Sequence, residues 1–252
     1  MSFSSRSYVN RYVPSNRFPV GLKWLLIVNI AVFALPILFQ RVFAPVLDTL
    51  GLVPADVVQG FAVWELITYM FIHVTFSHIL WNMLALWLFG AELERLWGTS
   101  RFLRFYFACG ISAALCVVAA AYVFGGINIK TVGSSGAVYG ILAGYAVMFP
   151  ERTILLGFLI PIKSKYFVMI IGAIVFLQSY MATVGGQGSG VAVLAHLGGL
   201  VTGYLLLRGG RLRGQIWQPV TASYRDWKLQ RAKKKFEVYL RKQDSNRNRR
   251  VH

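Results

Sequence analysis

Six predominantly apolar stretches constrain this 252-residue chain more than any other feature. They lie at about 22–40, 75–91, 102–124, 135–150, 166–184 and 191–208. A helix rises about 1.5 Å per residue, so roughly 20 such residues cross the ~30 Å hydrocarbon core of a bilayer. Only 14% of the residues are charged and 56% are hydrophobic, with mean hydropathy +0.57. Soluble domains carry about 25% charged residues, so a water-soluble globule is excluded and an all-α membrane bundle is expected. The fourth stretch is the odd one. Its 16 residues rise only ~24 Å, so it must begin below one membrane surface. Gly133 and Ser134 open it and Pro150 closes it, ordinary start and stop signals.

Charge fixes the expected orientation. If the connections alternate sides, one side receives 24 of the 26 Lys and Arg residues, and the other only Arg41 and Lys130. The positive-inside rule then puts both termini in the cytoplasm and the Ser135 end of the fourth segment outside, with a bacterial cell (inner) membrane as the expected location. Three regions follow: a cytoplasmic segment at 1–20, a six-helix membrane core at 21–208 and a basic cytoplasmic tail at 209–252. The first 20 residues hold Arg6, Arg11 and Arg17 but no apolar core, so no cleavable signal peptide is expected. The net charge of +17 belongs mostly to the tail, where 14 basic residues follow from Arg208. That tail reads as a solvated helix, with anionic lipid as its alternative partner, and nucleic acid is not expected.

The first outer connection, about 41–74, is too apolar for a free loop and too broken by Pro45, Pro54 and Gly60 for a span. It is expected in the interface, as is 153–161 on the inner side. The stretch 185–190 reads as a flexible outer linker. Cys109 and Cys116, seven apart, lie on one helical face about 10 Å apart, too far for a mutual disulfide, and read as packing residues.

Polar groups within spans are costly and mark functional candidates. They are few here: His78 and Asn82 in the second segment, Ser135 at the head of the fourth and His196 in the sixth. All four fall in the outer half. Gly136, Gly140 and Gly144 recur every four residues after Ser135, and Gly199 and Gly203 do so after His196. Small residues at that spacing let helices approach closely in lipid, so the two ridges packed face to face would bring hydroxyl and imidazole together. A serine hydroxyl becomes nucleophilic when a neutral imidazole takes its proton. No Asp or Glu lies in segments four to six, so such a pair is a dyad. His78 and Asn82, at i and i+4, share a face and suit a developing oxyanion, together with the Ser135 backbone N–H; an interhelix hydrogen-bond pair is the plainer alternative. A zinc site is disfavoured by the spacing of His73 and His78 and the absence of a nearby cysteine. Tyr139 sits one turn after Ser135, either as core packing or as support for the imidazole.

Taken in order, HisIleLeuTrpAsn (78–82), GlyAlaGluLeuGluArgLeuTrpGly (90–98), GlySerSerGly (133–136) with Tyr139, and AlaHisLeuGlyGly (195–199) resemble the rhomboid family of intramembrane serine proteases. The resemblance runs across about residues 60–208. It implies Ser135 as nucleophile, His196 as general base, and His78, Asn82 and the Ser135 N–H as the oxyanion site. It also implies Tyr139 stacked on His196, supporting roles for Gly133, Gly136 and Gly199, and a structural role for Glu94 and Gly98. Single-span membrane proteins are the implied substrates, entering beside the fifth segment or under the 185–190 loop, and no cofactor or metal is implied. The family's Trp-Arg pair in the first outer loop is not matched, since Glu65 follows Trp64. A proteolytically inactive rhomboid-like binding or escort protein and a transporter are the competing classes.

Overall fold

The computed structural model describes residues 18–156, 159–184 and 194–209. Its elements are α1 (Val20–Leu38), α2 (Gln40–Asp48), α3 (Pro54–Gln59), α4 (Glu65–Thr68), a 3-10 turn at Tyr69–Phe71, α5 (Phe76–Trp97), α6 (Thr99–Phe124), α7 (Ser135–Met148), a hairpin of β1 (Thr153–Leu156) and β2 (Ile160–Lys163), α8 (Ser164–Val184) and a last helix, α9, at 194–209. Residues up to Tyr204 form one compact unit. Of the second unit only the end of α9 is described.

Packing follows from side-chain size. The buried stripe of α6 runs Phe102, Phe105, Tyr106, Cys109, Gly110, Ala113, Ala114, Val117, Ala120 and Ala121, the i, i+3, i+4 pattern of one helical face. Its bulky half fills space beside α1 and α5, and its small half lets α7 come close. In α7 nearly every residue from Gly136 to Tyr145 is buried. A helix that is apolar all round belongs in the middle, and α7 contacts α5, α6 and α8.

One end of the bundle is tied by Glu94. Helix α1 has no side-chain cap of its own. Instead the Glu94 carboxylate accepts the N–H groups of Gly21 at 2.8 Å and Leu22 at 2.7 Å, and the Thr99 hydroxyl at 2.6 Å. A buried carboxylate on the positive end of α1 satisfies donors that otherwise have no partner. Nearby, Glu92 of α5 accepts from Tyr145 of α7 and from Arg152 before β1. The hairpin is clamped by Glu151, which takes hydrogen bonds from Lys163 and Lys165; the two ammoniums hold its carboxyl down to about 2.

At the other end, the connection before α5 is folded and partly buried, where an interfacial loop is expected from sequence. Leu52, Tyr69 and Met70 have almost no exposed surface. Leu52 exchanges backbone hydrogen bonds with Thr131, Ala55 N–H reaches the Ile127 carbonyl, and Gly133 N–H reaches the Tyr69 carbonyl. The Tyr69 hydroxyl donates to the Gly110 carbonyl at 2.7 Å. These bonds hold the chain that leads into α7. The 153–161 segment, too short to span, lies in a hairpin of antiparallel strands with Thr153 opposite Lys163. Both cysteines pack against glycines as read from sequence, Cys109 buried on Gly140 of α7 and Cys116, though exposed, on Gly198 of α9.

Two described helices are long and apolar enough to cross a membrane, Val20–Leu38 and Thr99–Phe124. A third is added if Glu65–Phe71 and Phe76–Trp97, bent by 99°, count as one broken span. The six spans read from sequence are not all met by this test among the described residues, which begin the last helix only at 194. The far end of α5 carries Glu92, Glu94 and Arg95, while α7 has 14 residues and rises only ~21 Å. The 185–190 linker and the basic tail lie outside the described residues.

Removing the Glu94 carboxylate leaves two backbone donors and a hydroxyl unpaired in a buried place. Glu94→Ala is expected to destabilise the bundle by about 3 kcal/mol, and Glu94→Gln by less. Thermal exposure of buried Cys109 to a thiol-reactive dye in detergent measures this; an unchanged midpoint in Glu94→Ala would contradict it.

Candidate active site

The site is built where α9 touches α7 backbone to backbone. A methyl added at Gly199 would collide with the Gly136 carbonyl, and one at Gly203 would stand 2.5 Å from the Gly140 carbonyl oxygen. Only glycine at these two positions permits the approach. The two ridges meet as the spacing suggests, and that of α7 also receives a third helix. The α9 glycines face the backbone of α7, while Gly136 and Gly140 of α7 meet Ala113 and Cys109 of α6 and, a little farther off, the Ala195 and Gly199 carbonyls of α9. The glycines thus let α7 be gripped from two sides. Gly144 is buried within α7.

This packing sets His196 of α9 against the first residue of α7. Ser135 Oγ lies 2.7 Å from His196 Nε2, a full hydrogen bond between half-buried groups. The Tyr139 ring stacks on the imidazole with centroids 4.6 Å apart and planes at 21°. Serine, histidine and tyrosine therefore occupy one corner. Ser135 is the first residue of α7, so its N–H is among those with no acceptor inside the helix, at the positive end of the dipole.

A cleft of about 320 Å³ opens on this corner, lined by Tyr69, His78, Thr131, Gly133, Ser135 and His196 among others. Gly133 has φ +111°, a left-handed conformation that glycine tolerates. A side chain there would be strained, and it would also stand 2.6 Å from His78 Nε2 and 3.7 Å from Asn82 Nδ2. The two candidate donors from α5 thus converge on the Gly133 α-carbon, two residues ahead of Ser135. His78 lines the cleft, whereas Asn82 is buried.

Sequence reasoning passed over the next two residues. The Asn82 amide nitrogen lies 3.1 Å from His73 Nε2, and Ser134 Oγ lies 3.5 Å from the same nitrogen. The rings of His73 and His78 meet edge to face, with centroids 4.9 Å apart. Ser134 and His73 thus form a second serine–histidine contact, longer and more buried than the first. His73 stands outside helix α5, so the helical spacing that pairs His78 with Asn82 gave no sign of it. The first serine of GlySerSerGly was the one visible hint.

The family model of the Rhomboid domain matches residues 60–211. The rhomboid-type protein YdcA of Bacillus subtilis is 34% identical over 145 residues, 57% of this chain and 65% of that protein. The rhomboid protease GluP of the same organism is 32% identical over 141 residues, 56% of this chain and 25% of GluP. The rhomboid protease GlpG of Yersinia pestis is 27% identical over 159 residues, 61% of this chain and 50% of GlpG. The chain therefore spans less than two thirds of the length of each.

Gly199→Ala forces α9 away from α7 and with it His196 from Ser135. The expected outcome is at least a tenfold loss in the rate at which a fluorophosphonate labels Ser135, with the other helices still folded. Labelling at the wild-type rate would show that the close approach does not hold the pair together.

Proposed function

This chain belongs to the rhomboid family, and we propose that it is an intramembrane serine endopeptidase working through a Ser135–His196 dyad. The observation that carries the proposal is the 2.7 Å contact between Ser135 Oγ and His196 Nε2 on the wall of a cleft. In this reading His196 takes the Ser135 proton as Oγ attacks a substrate carbonyl carbon. The carbonyl oxygen gains the negative charge and is met by the Ser135 N–H, His78 and Asn82. Collapse of the tetrahedral intermediate breaks the C–N bond, and His196 returns the proton to the leaving amine. Water, activated by the same imidazole, then hydrolyses the acyl ester and frees Ser135. Tyr139 holds the imidazole plane by stacking, since segments four to six carry no carboxylate to do so.

The proposed setting is a six-span core with both termini cytoplasmic and the Ser135 end outside, in a bacterial cell membrane. The asymmetry of Lys and Arg supports that orientation. The proposed substrates are single-span membrane proteins, whose helix must unwind locally to present a carbonyl to the cleft. The short α7 supports a submerged hydroxyl reached by water from one side.

The Ser134–His73 contact offers a second dyad of the same chemistry. Its 3.5 Å separation is at the edge of a hydrogen bond, and Ser134 has no exposed surface, so attack on a substrate favours Ser135.

Reconstituted protein and a single-span reporter decide the matter. Ser135→Ala and His196→Ala are each expected to abolish cleavage, a loss of at least 10³-fold, while Ser134→Ala retains most of it. Fluorophosphonate labelling is expected to disappear in Ser135→Ala alone of the two serine variants. Full cleavage by Ser135→Ala would sink the assignment. The rate is also expected to fall on acidification as the general base becomes protonated, following a single ionisation.

A further inference from the structure

His73 is a polar side chain in contact with several parts of the site yet without a part in the chemistry just described. It is 7% exposed, sits in the short stretch between the Tyr69–Phe71 turn and α5, and touches groups from two other places in the chain. Its Nε2 lies 3.1 Å from the Asn82 amide nitrogen and 3.5 Å from Ser134 Oγ, and its ring abuts that of His78. Both α5 donors and the residue before Ser135 therefore meet on a single imidazole.

A carboxamide presents an oxygen on one side and an NH₂ on the other, with nearly equal shapes. An oxyanion is stabilised by the NH₂ and repelled by the oxygen, so an asparagine in this role is only as good as its orientation. In α5 nothing else in hydrogen-bonding contact with the Asn82 amide nitrogen fixes that choice among the described residues. With Nε2 as acceptor, His73 takes one amide hydrogen and holds the nitrogen toward Gly133, where the second hydrogen is free for the cleft. A buried polar group held by a single partner is sensitive to that partner, because losing it leaves the amide both unpaired and free to rotate.

We propose that His73 is a positioning residue for catalysis: it locks the Asn82 amide with its donor toward the oxyanion and, through its edge contact, steadies the His78 ring. The proposal rests on the protease reading, since it assigns His73 to the same oxyanion. It distinguishes the two serine–histidine contacts by role. Ser135–His196 moves the proton, and His73 with Ser134 belongs to the scaffold behind the donors. His73 never contacts substrate.

The test compares His73→Phe, which keeps a ring but removes the acceptor, with His73→Gln, which restores one, each alone and combined with Asn82→Ala. Cleavage of the single-span reporter and the rate of Ser135 labelling by a fluorophosphonate are both read, since phosphonylation places an oxygen in the same site. His73→Phe is expected to lower kcat about 10- to 100-fold with KM little changed. This is less than the 10²- to 10³-fold typical of losing an oxyanion donor outright. His73→Gln is expected to recover a good part of that loss. In the Asn82→Ala background, His73→Phe is expected to change the rate less than twofold, because the residue it positions is gone. Full activity in His73→Phe overturns the proposal, as does the same fold-loss with and without Asn82, which would mark His73 as merely structural. If the wild-type Ser135 neither cleaves the reporter nor takes the label, it is the protease reading that fails instead.

Discussion

Two helices in lipid gain little from hiding apolar surface, because the lipid tails are as apolar as the side chains; they associate through close packing and polar contacts. In this chain α9 rests directly on the backbone of α7 at Gly199 and Gly203, and Gly136 and Gly140 of α7 also receive Ala113 and Cys109 of α6. Each added methyl there would drive the helices apart. The separation of two functional atoms is thereby set by backbone contact, the least adjustable spacing available. Ser135 begins one of these helices and His196 lies three residues before Gly199 on the other, so their 2.7 Å contact follows from the packing. Tyr139, one turn along α7, meets the same imidazole for the same reason.

Close approach fixes distance but not height, and the height of Ser135 depends on where α7 starts. That point is set by strand-like bonds outside the helices. Thr131 pairs with Leu52, Gly133 hands its N–H to the Tyr69 carbonyl, and Tyr69 is pinned through its hydroxyl to Gly110. The connection before α5 is thus a brace against which the entry to α7 is hung. At the far end Glu94 ties α5 to the starts of α1 and α6. Between the two, a 14-residue helix is held inside a taller bundle, and its first residue ends at the floor of a cleft.

What could be read from sequence was whatever has a period or an unusual cost. Apolar run length located all the main helices to within a few residues, apart from α5, which continues six residues beyond the apolar stretch because Glu92, Glu94 and Arg95 are helical too. Polar groups in apolar runs singled out Ser135, His196, His78 and Asn82. The four-residue glycine spacing announced that α7 and α9 approach, though not that the α7 glycines also receive α6, since periodicity gives a face but not all its partners. The brace before α5 was invisible. Its stability comes from backbone hydrogen bonds between residues about 70 apart, such as Leu52 with Thr131, Ala55 with Ile127 and Gly133 with Tyr69, and local composition carries no trace of them. His73 was hidden for a related reason: it stands one residue outside the helical register, so no spacing links it to Asn82. The hairpin at Thr153–Lys163 escaped because its apolar residues read equally well as an interfacial segment.

In the proposed mechanism, burial divides labour between the two adjacent serines. Both hydroxyls lie near an imidazole, so proximity alone does not tell them apart. Ser134 precedes α7, has no exposed surface and points at a histidine already engaged with an amide. Ser135 is one residue further on, and the turn into the helix rotates its side chain to the cleft and to a histidine stacked on a tyrosine. A nucleophile must meet water and substrate, while a scaffold hydroxyl is best kept from both. Gly133, at φ +111°, supplies the bend that points successive residues in these different directions. The same bend clears the space over its own α-carbon on which His78 and Asn82 converge. One glycine without a side chain therefore leads into both serines and leaves open the space that the proposed mechanism assigns to a developing negative charge.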